Sequence, residues 1–444
     1  MLYSNYLNAL TATCILVFAS AAVAQDKPTW SNIPDGRTLA TSMPSELASS
    51  FKAEYIYVNP NKTSVLNDIN IRNGNYAVTY LLADRSFEIV YNSKSTYKGI
   101  FGFGWGSPFD TRIVKMRDGT IFLQANGTGK IVAIPPNSGP SKYAEMMGDV
   151  IIKEASGGLN GSEAKIHDRL QTDWQYAIDM ALKYQAFEPL SNGGDITISQ
   201  RSFPLSGCEW SGRIAQWVTN GGEYRYRVYC ENNIIHEFDQ NGVIIRGYSG
   251  NIGQFRLSRD DSGRINRVTK LSDDEVNLVL GARRSAPEDN FNLEFLWGSK
   301  GIESIVIHNS IESRGYKKFD TPIKSDLLSY GPRGELVSLY QPKQYFGYKY
   351  VYNAHLDMTR IDYSDDTFQT LTYDKDDRAT SLRNRRGDVT LLRYEDKIDA
   401  CHDIVTALFK DRYIAKGTAS VFVIEHEYKN GKPCEDTALE KVPG

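Results

Sequence analysis

The chain has 444 residues, 41% hydrophobic and 24% charged, with a net charge of −3. That length suits two or three domains of ordinary size, and the balance is that of a packed protein rather than a disordered one. So small a net charge draws in neither nucleic acid nor an anionic membrane.

The first 24 residues carry no charged side chain. Ala9 to Val23 is apolar, and Ala22-Val23-Ala24 ends it with small residues at the −3 and −1 positions. This predicts a signal peptide over 1–24 with cleavage before Gln25, because about 15 apolar residues is short for a membrane span. No later segment is long and apolar enough to cross a bilayer. The expected product therefore has no transmembrane anchor and lies in the periplasm, on the cell surface or outside the cell. Export leaves Cys208, Cys230, Cys401 and Cys434, an even number that predicts two disulfides. Local pairing, Cys208–Cys230 and Cys401–Cys434, is the simplest of three connectivities. No pair has CxxC spacing, which argues against zinc and redox chemistry.

Residues 25–50, with Pro28, Pro34 and Pro44, are expected to form a loose leader. A β region follows over 51–135. Arg85-Ser-Phe-Glu-Ile-Val-Tyr91 alternates with period two, as do Arg112-Ile-Val and Thr120-Ile-Phe-Leu, and a glycine-aromatic turn, Gly99-Ile-Phe-Gly-Phe-Gly-Trp-Gly106, lies between them. Residues 136–207 interrupt the pattern. Within them Ser162–Phe187 reads as an amphipathic helix, with Ile166, Leu170, Trp174, Ile178 and Leu182 four apart and Ser162 as its N-cap. Strands return over 208–396, and 397–444 is expected to be a tail carrying a short helix near 400–410.

Within 208–396 one pattern recurs. Phe238-Asp239 with Gly242 is followed 21 residues later by Arg259-Asp260 with Gly263. Tyr330 with Gly334, Tyr352-Asn353, Tyr373-Asp374 and Tyr394-Glu395 continue it, the last three again 21 apart, and a worn copy spans Leu296 to Ile305. The template is an aromatic, an acidic or small residue, two polar residues, often Gly, then apolar residues at +6 and +9. The aromatic ends one strand, the Asp bonds nearby backbone in the turn, the Gly accepts positive φ, and the apolar residues begin the next strand. Such a hairpin cannot bury its own face, so copies must stack into a continuous sheet.

These copies resemble the YD repeats of rearrangement-hotspot (Rhs) proteins, toxin-complex C subunits and teneurins. Tyr91-Asn-Ser-Lys-Ser-Thr-Tyr97-Lys-Gly-Ile-Phe-Gly-Phe-Gly-Trp105-Gly-Ser, with Asp110-Thr-Arg112 and Asp118-Gly119, resembles the segment preceding the repeats in many bacterial Rhs proteins. The resemblance covers about 75–135 and 225–396. It implies a spiral β-sheet that in the family closes into a hollow shell, often around a toxic C-terminal domain. This chain has fewer repeats and no evident toxin or self-cleaving segment, so an open, curved sheet with capped edges is expected.

Chemistry-bearing motifs are sparse. Gly102-Phe-Gly104-Trp-Gly106 lacks GxGxxG spacing, and Gly127-Thr-Gly129-Lys130 lacks the upstream Gly and the Ser or Thr of a P-loop. There is no GxSxG elbow and no HExxH; His167, His236, His308, His355, His402 and His426 read as surface or cross-strand residues. Asp374, Asp376 and Asp377 lack the Gly and terminal Glu of a calcium loop. Tyr340, Tyr345, Phe346, Tyr348, Tyr350 and Tyr352 crowd one region. Alternate tyrosines line a sheet core; were Tyr345, Tyr348 and Tyr350 exposed, they would stack on sugar rings.

The expectation is thus a mainly β protein: a curved antiparallel sheet of repeated hairpins with a helical insertion, and no catalytic residue, cofactor or metal. Its function would be that of an exported non-enzymatic Rhs/YD-repeat scaffold or binding protein in a toxin or adhesion system, with a glycan or protein partner. The alternatives are a polysaccharide-acting hydrolase or a degenerate remnant of a longer shell protein.

Overall fold

The computed structural model describes residues 54–58, 65–115, 120–129, 131–134, 150, 166, 169–170, 173–183, 197–201, 205, 207–208, 212–218, 224–271, 289–313, 316–317, 322–395, 402–410, 418–425, 428–429 and 432–433. All fall within the unit Ala53–Gly444. The expected signal segment, the leader, the Ser162 cap and the Cys401–Cys434 pair lie outside the described residues.

The fold is mainly β, as the period-two patterns predicted. From Gly212–Val218 to Thr418–Glu425 one antiparallel sheet runs through the chain, each strand pairing with its neighbours in sequence. The short Tyr316–Lys317 is the exception, since Ile302–Ser313 pairs directly with Ile323–Tyr330. Alternation sorts the side chains. In Phe346–Tyr352, Phe346, Tyr348, Tyr350 and Tyr352 share one face, while Gly347, Lys349 and Val351 take the other. The edges expected to be open are paired: Glu54–Val58 lies parallel to Thr418–Glu425, and the hydrogen-bonded order continues from it to Thr197–Arg201.

The aromatic face of this sheet is covered by described residues of the chain's own stretch 65–134. These form a five-stranded sheet (Val65–Leu66, Ile69–Asn70, Asn75–Leu82, Phe87–Asn92, Trp105–Gly106) and a three-stranded one (Arg112–Lys115, Ile121–Gln124, Ile131–Ile134). Tyr76, Phe87, Tyr91, Phe101, Trp105 and Phe109 share one apolar core with Phe238, Phe255, Phe295, Leu339, Tyr350 and Leu382. The rings meet edge to face or tilted: Tyr80 on Tyr348 at 4.5 Å, Trp105 on Tyr350 at 5.3 Å, Phe109 on Phe255 at 5.3 Å. Each such pair adds about 0.5–1.5 kcal/mol beyond area burial.

The helix expected over Ser162–Phe187 is present in part, as Trp174–Lys183, and Asp173 before it is not helical. Its start is capped by Asp173, whose Oδ1 accepts from Tyr176 N at 3.1 Å. Ile166, Leu170, Ala177, Ile178 and Ala181 bury against Phe122 and Ile131 in a second, smaller core. The helix therefore covers the three-stranded sheet.

The helix expected near 400–410 is corrected. His402–Lys410 is a strand, paired Tyr394↔Val405 on one side and Thr406↔Val421 on the other. Ile404-Val405-Thr406-Ala407-Leu408-Phe409 is a short apolar run rich in β-branched residues, which suits a strand buried between two neighbours.

Candidate functional site

The recurring turns have one geometry. In five copies the residue after the leading position donates its N–H across the turn to the residue at +5, and the +4 residue donates back; the worn copy is tighter, with Gly298 N bonding Gly301 O at 2.9 Å. The pairs are Asp239 N to Val243 O (2.9 Å) with Gly242 N to Asp239 O (3.0 Å), and Asp260 N to Arg264 O (2.8 Å) with Gly263 N to Asp260 O (2.8 Å). Gly331 with Glu335, Asn353 with Asp357, and Asp374 with Arg378 repeat the arrangement. Where the residue after the aromatic is Asp or Asn, its Oδ1 accepts two backbone N–H groups. Asp374 takes those of Asp376 (2.9 Å) and Arg378 (3.0 Å), and its other oxygen accepts from Arg378 Nε at 2.8 Å. That carboxylate is thus engaged by the turn and by Arg378. The +4 position is left-handed in these five copies, at Gly242 (φ 75°), Gly263 (82°), Gly334 (82°), Leu356 (71°) and Asp377 (56°). The strand register slips beside each turn, at Phe238, Arg259, Trp297, Tyr330, Tyr352 and Tyr373.

A further regularity links one copy to the next. Three tyrosines donate to the carbonyl of the residue at +6 in the copy before, whereas the buried Tyr330 hydroxyl makes no such bond. Tyr352 OH reaches Leu336 O (2.8 Å), Tyr373 OH reaches Met358 O (2.9 Å) and Tyr394 OH reaches Ala379 O (2.9 Å). The worn copy obeys the same rule with an indole, Trp297 Nε1 to Ile265 O at 2.7 Å. Arg259 makes a long equivalent to Ile244 O at 3.5 Å. Tyr394, whose own turn lies outside the described residues, is identified as a copy by this bond.

Residues 65–131 attach to these corners. Trp105 Nε1 donates to Tyr352 OH (3.0 Å), Tyr91 OH accepts from Met358 N (2.9 Å), and Gln369 Nε2 donates to Tyr76 OH (2.8 Å). Backbone bonds add Ala379 N to Gly74 O and Ile113 N to Gly242 O. Asp326 is the buried polar anchor: its carboxylate accepts from Ala83 N (2.8 Å), Gln341 Nε2 (3.0 Å) and Ser325 Oγ (2.6 Å). Burial pushes Asp326 above the ordinary carboxylate range against the pull of those donors. Asp110, accepting from Ser107, Tyr97 and Ile100, is likewise pushed up by burial.

The proposed sugar-stacking tyrosines separate. Tyr350 is 3% exposed, against Tyr80 and Trp105, and Tyr348 is half-buried among Tyr80, Phe346 and Tyr363. Only Tyr345, at 84%, faces solvent. The three therefore make no exposed platform, because alternation turns the even-numbered rings inward. The opposite face carries a row the sequence reading missed. Leu296↔Ser304↔Leu327↔Tyr340 are directly paired across four strands, and Leu296, Leu327 and Tyr340 are each about two-fifths exposed. Only pairing registers reveal it, since the three residues are scattered in sequence.

Of the histidines, His308 Nε2 meets Glu294 at 2.9 Å and His355 Nδ1 meets Asp377 at 3.0 Å. His167 and His426 lie outside the described residues. Two groups among the described residues bring metal-competent atoms within 4.8 Å of one another: His355, Asp357 and Asp377, and Cys208, Cys230 and His236. Burial pushes Asp357 up, with Asp377 adding to the rise and Asn353 opposing it. Cys208 and Cys230 form the expected disulfide.

Residues 82–131 match a domain of unknown function (DUF6531). No curated protein matches the chain. Among solved structures, the chain is similar to crystal structures of TcdB2-TccC3 assemblies. For TcdB2-TccC3-TEV the identity is 11% over 51% of this chain and 15% of that chain, with a TM-score of 0.21. For TcdB2-TccC3 without its hypervariable C-terminal region the identity is 11% over 57% and 16%, at 0.21. For TcdB2-TccC3-Cdc42 it is 12% over 78% and 18%, at 0.22. The chain spans less than a fifth of the length of these chains.

Proposed function

We propose that this chain is an exported, non-enzymatic scaffold of the Rhs/YD-repeat type that binds a protein partner. The observation that carries the reading is the bond from Tyr352, Tyr373, Tyr394 and Trp297 to the +6 carbonyl of the preceding copy, which braces these repeats against one another. The match over 82–131 supports it, because that stretch contains the glycine-aromatic segment on which the resemblance partly rests. Among the described residues the wall's aromatic face packs against residues 65–134, so the partner is expected on the opposite face. There the Leu296, Leu327 and Tyr340 row is apolar and offers little to a sugar's hydroxyls, which favours a protein over a glycan.

The hydrolase alternative has one observation in its favour, the closeness of Asp357 and Asp377 beside His355. Both carboxylates belong to hairpin turns, and Asp357 is engaged by Asn353 Nδ2 at 2.8 Å. One experiment separates the readings. The protein is crosslinked in its native cells, and the purified chain is assayed for reducing-sugar release from a panel of polysaccharides. The scaffold reading expects a discrete crosslinked protein species, lost in Leu327→Asp/Tyr340→Asp at unchanged circular dichroism, and no sugar release. Absence of that species overturns the scaffold reading, and sugar release that disappears in Asp357→Asn replaces it with the hydrolase.

A further inference from the structure

We propose that Cys208, Cys230 and His236 form a redox-exchangeable metal site: a disulfide when oxidised, and a Cys2His zinc site when reduced. Strand pairing assembles it rather than sequence spacing. Cys230 ends the strand Tyr224–Cys230, its N–H bonding Ile234 O at 2.8 Å. The turn Glu231–Asn233 then reverses the chain, and His236 returns opposite Val228 in the next strand. Cys208 arrives separately, held by its N–H to Leu205 O at 2.9 Å.

The ligand atoms of the three residues all lie within 4.8 Å of one another. Tetrahedral zinc, with bonds of about 2.3 Å to sulfur and about 2.0–2.1 Å to nitrogen, needs them about 3.5–3.8 Å apart. Once the S–S bond opens, small side-chain rotations meet that requirement without moving either strand. Cys208 and His236 are buried, whereas Cys230 is half-buried. A cleft lined by Thr111, Asn126, Leu205, His236 and Tyr248 adjoins the imidazole and has room for a water as fourth ligand.

The chemistry balances. A thiol or phosphine reductant supplies two electrons, the S–S bond breaks, and two thiols form with two protons from solvent. Metal binding returns both protons to solvent as the thiolates coordinate, and the neutral imidazole donates a nitrogen lone pair. A divalent ion thus competes with oxidation for the same two sulfurs.

The test uses the full chain with Cys14→Ser, Cys401→Ser and Cys434→Ser, titrated with Co2+ before and after phosphine reduction. Reduced protein is expected to bind one Co2+ per chain with a thiolate-to-cobalt charge-transfer band, which Zn2+ displaces, while oxidised protein shows none. His236→Ala should weaken binding at least ~100-fold, beyond the loss that follows removal of an outer-shell partner. The proposal is overturned if reduced protein gives no such band, whether or not it stays folded by circular dichroism. It is equally overturned if the band survives in Cys208→Ser/Cys230→Ser or is unchanged in His236→Ala.

Discussion

Tyr352→Phe deletes a single oxygen, yet two bonds go with it. The hydroxyl donates to Leu336 O at 2.8 Å and accepts from Trp105 Nε1 at 3.0 Å. Trp105 is fully buried, so its indole N–H is left without this acceptor, and the Leu336 carbonyl loses a donor. A buried group stripped of its partner costs about 1–3 kcal/mol, so the two together predict a loss of about 2–3 kcal/mol. Tyr394→Phe is the internal control: its hydroxyl donates to Ala379 O at 2.9 Å, and about 1 kcal/mol is expected. Urea denaturation followed by far-ultraviolet circular dichroism gives both values. A double-mutant cycle with Trp105→Phe isolates the indole–phenol bond, with a coupling of about 1 kcal/mol expected. A Tyr352→Phe protein within about 0.5 kcal/mol of wild type, or no worse than Tyr394→Phe, would refute the reasoning.

Two further variants probe the turns and the buried anchor. At Gly263 (φ 82°) an added Cβ meets nothing within 4 Å, so Gly263→Ala should cost only the left-handed backbone, about 1 kcal/mol. At Gly242 (φ 75°) the Cβ would sit 1.8 Å from Ile113 O, so Gly242→Ala should cost at least twice as much; equal midpoints in denaturant would show that the Ile113 contact is not rigid. Asp326 has a folded-state pKa raised above its unfolded value of about 3.8, chiefly by burial. The folded state therefore holds that proton more tightly, and this residue's contribution to stability falls as pH rises from about 3.8 through the folded-state value. Asp326→Asn should flatten the pH dependence of the denaturation midpoint in that window, and an unchanged slope would mean Asp326 titrates normally.

The turns were legible because their cause is local. Asp260 caps N–H groups two and four residues on, Gly263 takes the left-handed position, and both lie within one pentapeptide. The worn copy was legible only at its edges, since Trp297 fills the tyrosine's role by donating from a ring nitrogen instead of a hydroxyl. What failed were inferences about a residue's surroundings. Tyr350 and Tyr345 look alike in sequence, but one packs against Trp105 and the other meets water. The helix expected near 400–410 failed because the apolar run 404–409 suits a buried strand as well as a helix until its neighbours, Val389–Glu395 and Thr418–Glu425, are seen to pair with it. The meeting of Cys230 with His236 was hidden because CxxC spacing describes one loop, whereas these residues sit on successive strands joined by the Glu231–Asn233 turn, with His236 opposite Val228.

The parallel pairing of Glu54–Val58 with Thr418–Glu425 has a kinetic consequence. Hairpins such as Tyr352 to Tyr373 can zip from neighbour to neighbour as they emerge, but this seam joins segments from opposite ends of the described chain. Its loop-closure entropy is spent last, after every intervening strand has found its register. Until then both flanking strands present unpaired amides and carbonyls, so the half-finished wall is a template for the wrong strand. Sealing that seam should therefore be the slow, aggregation-sensitive event in the life of this protein.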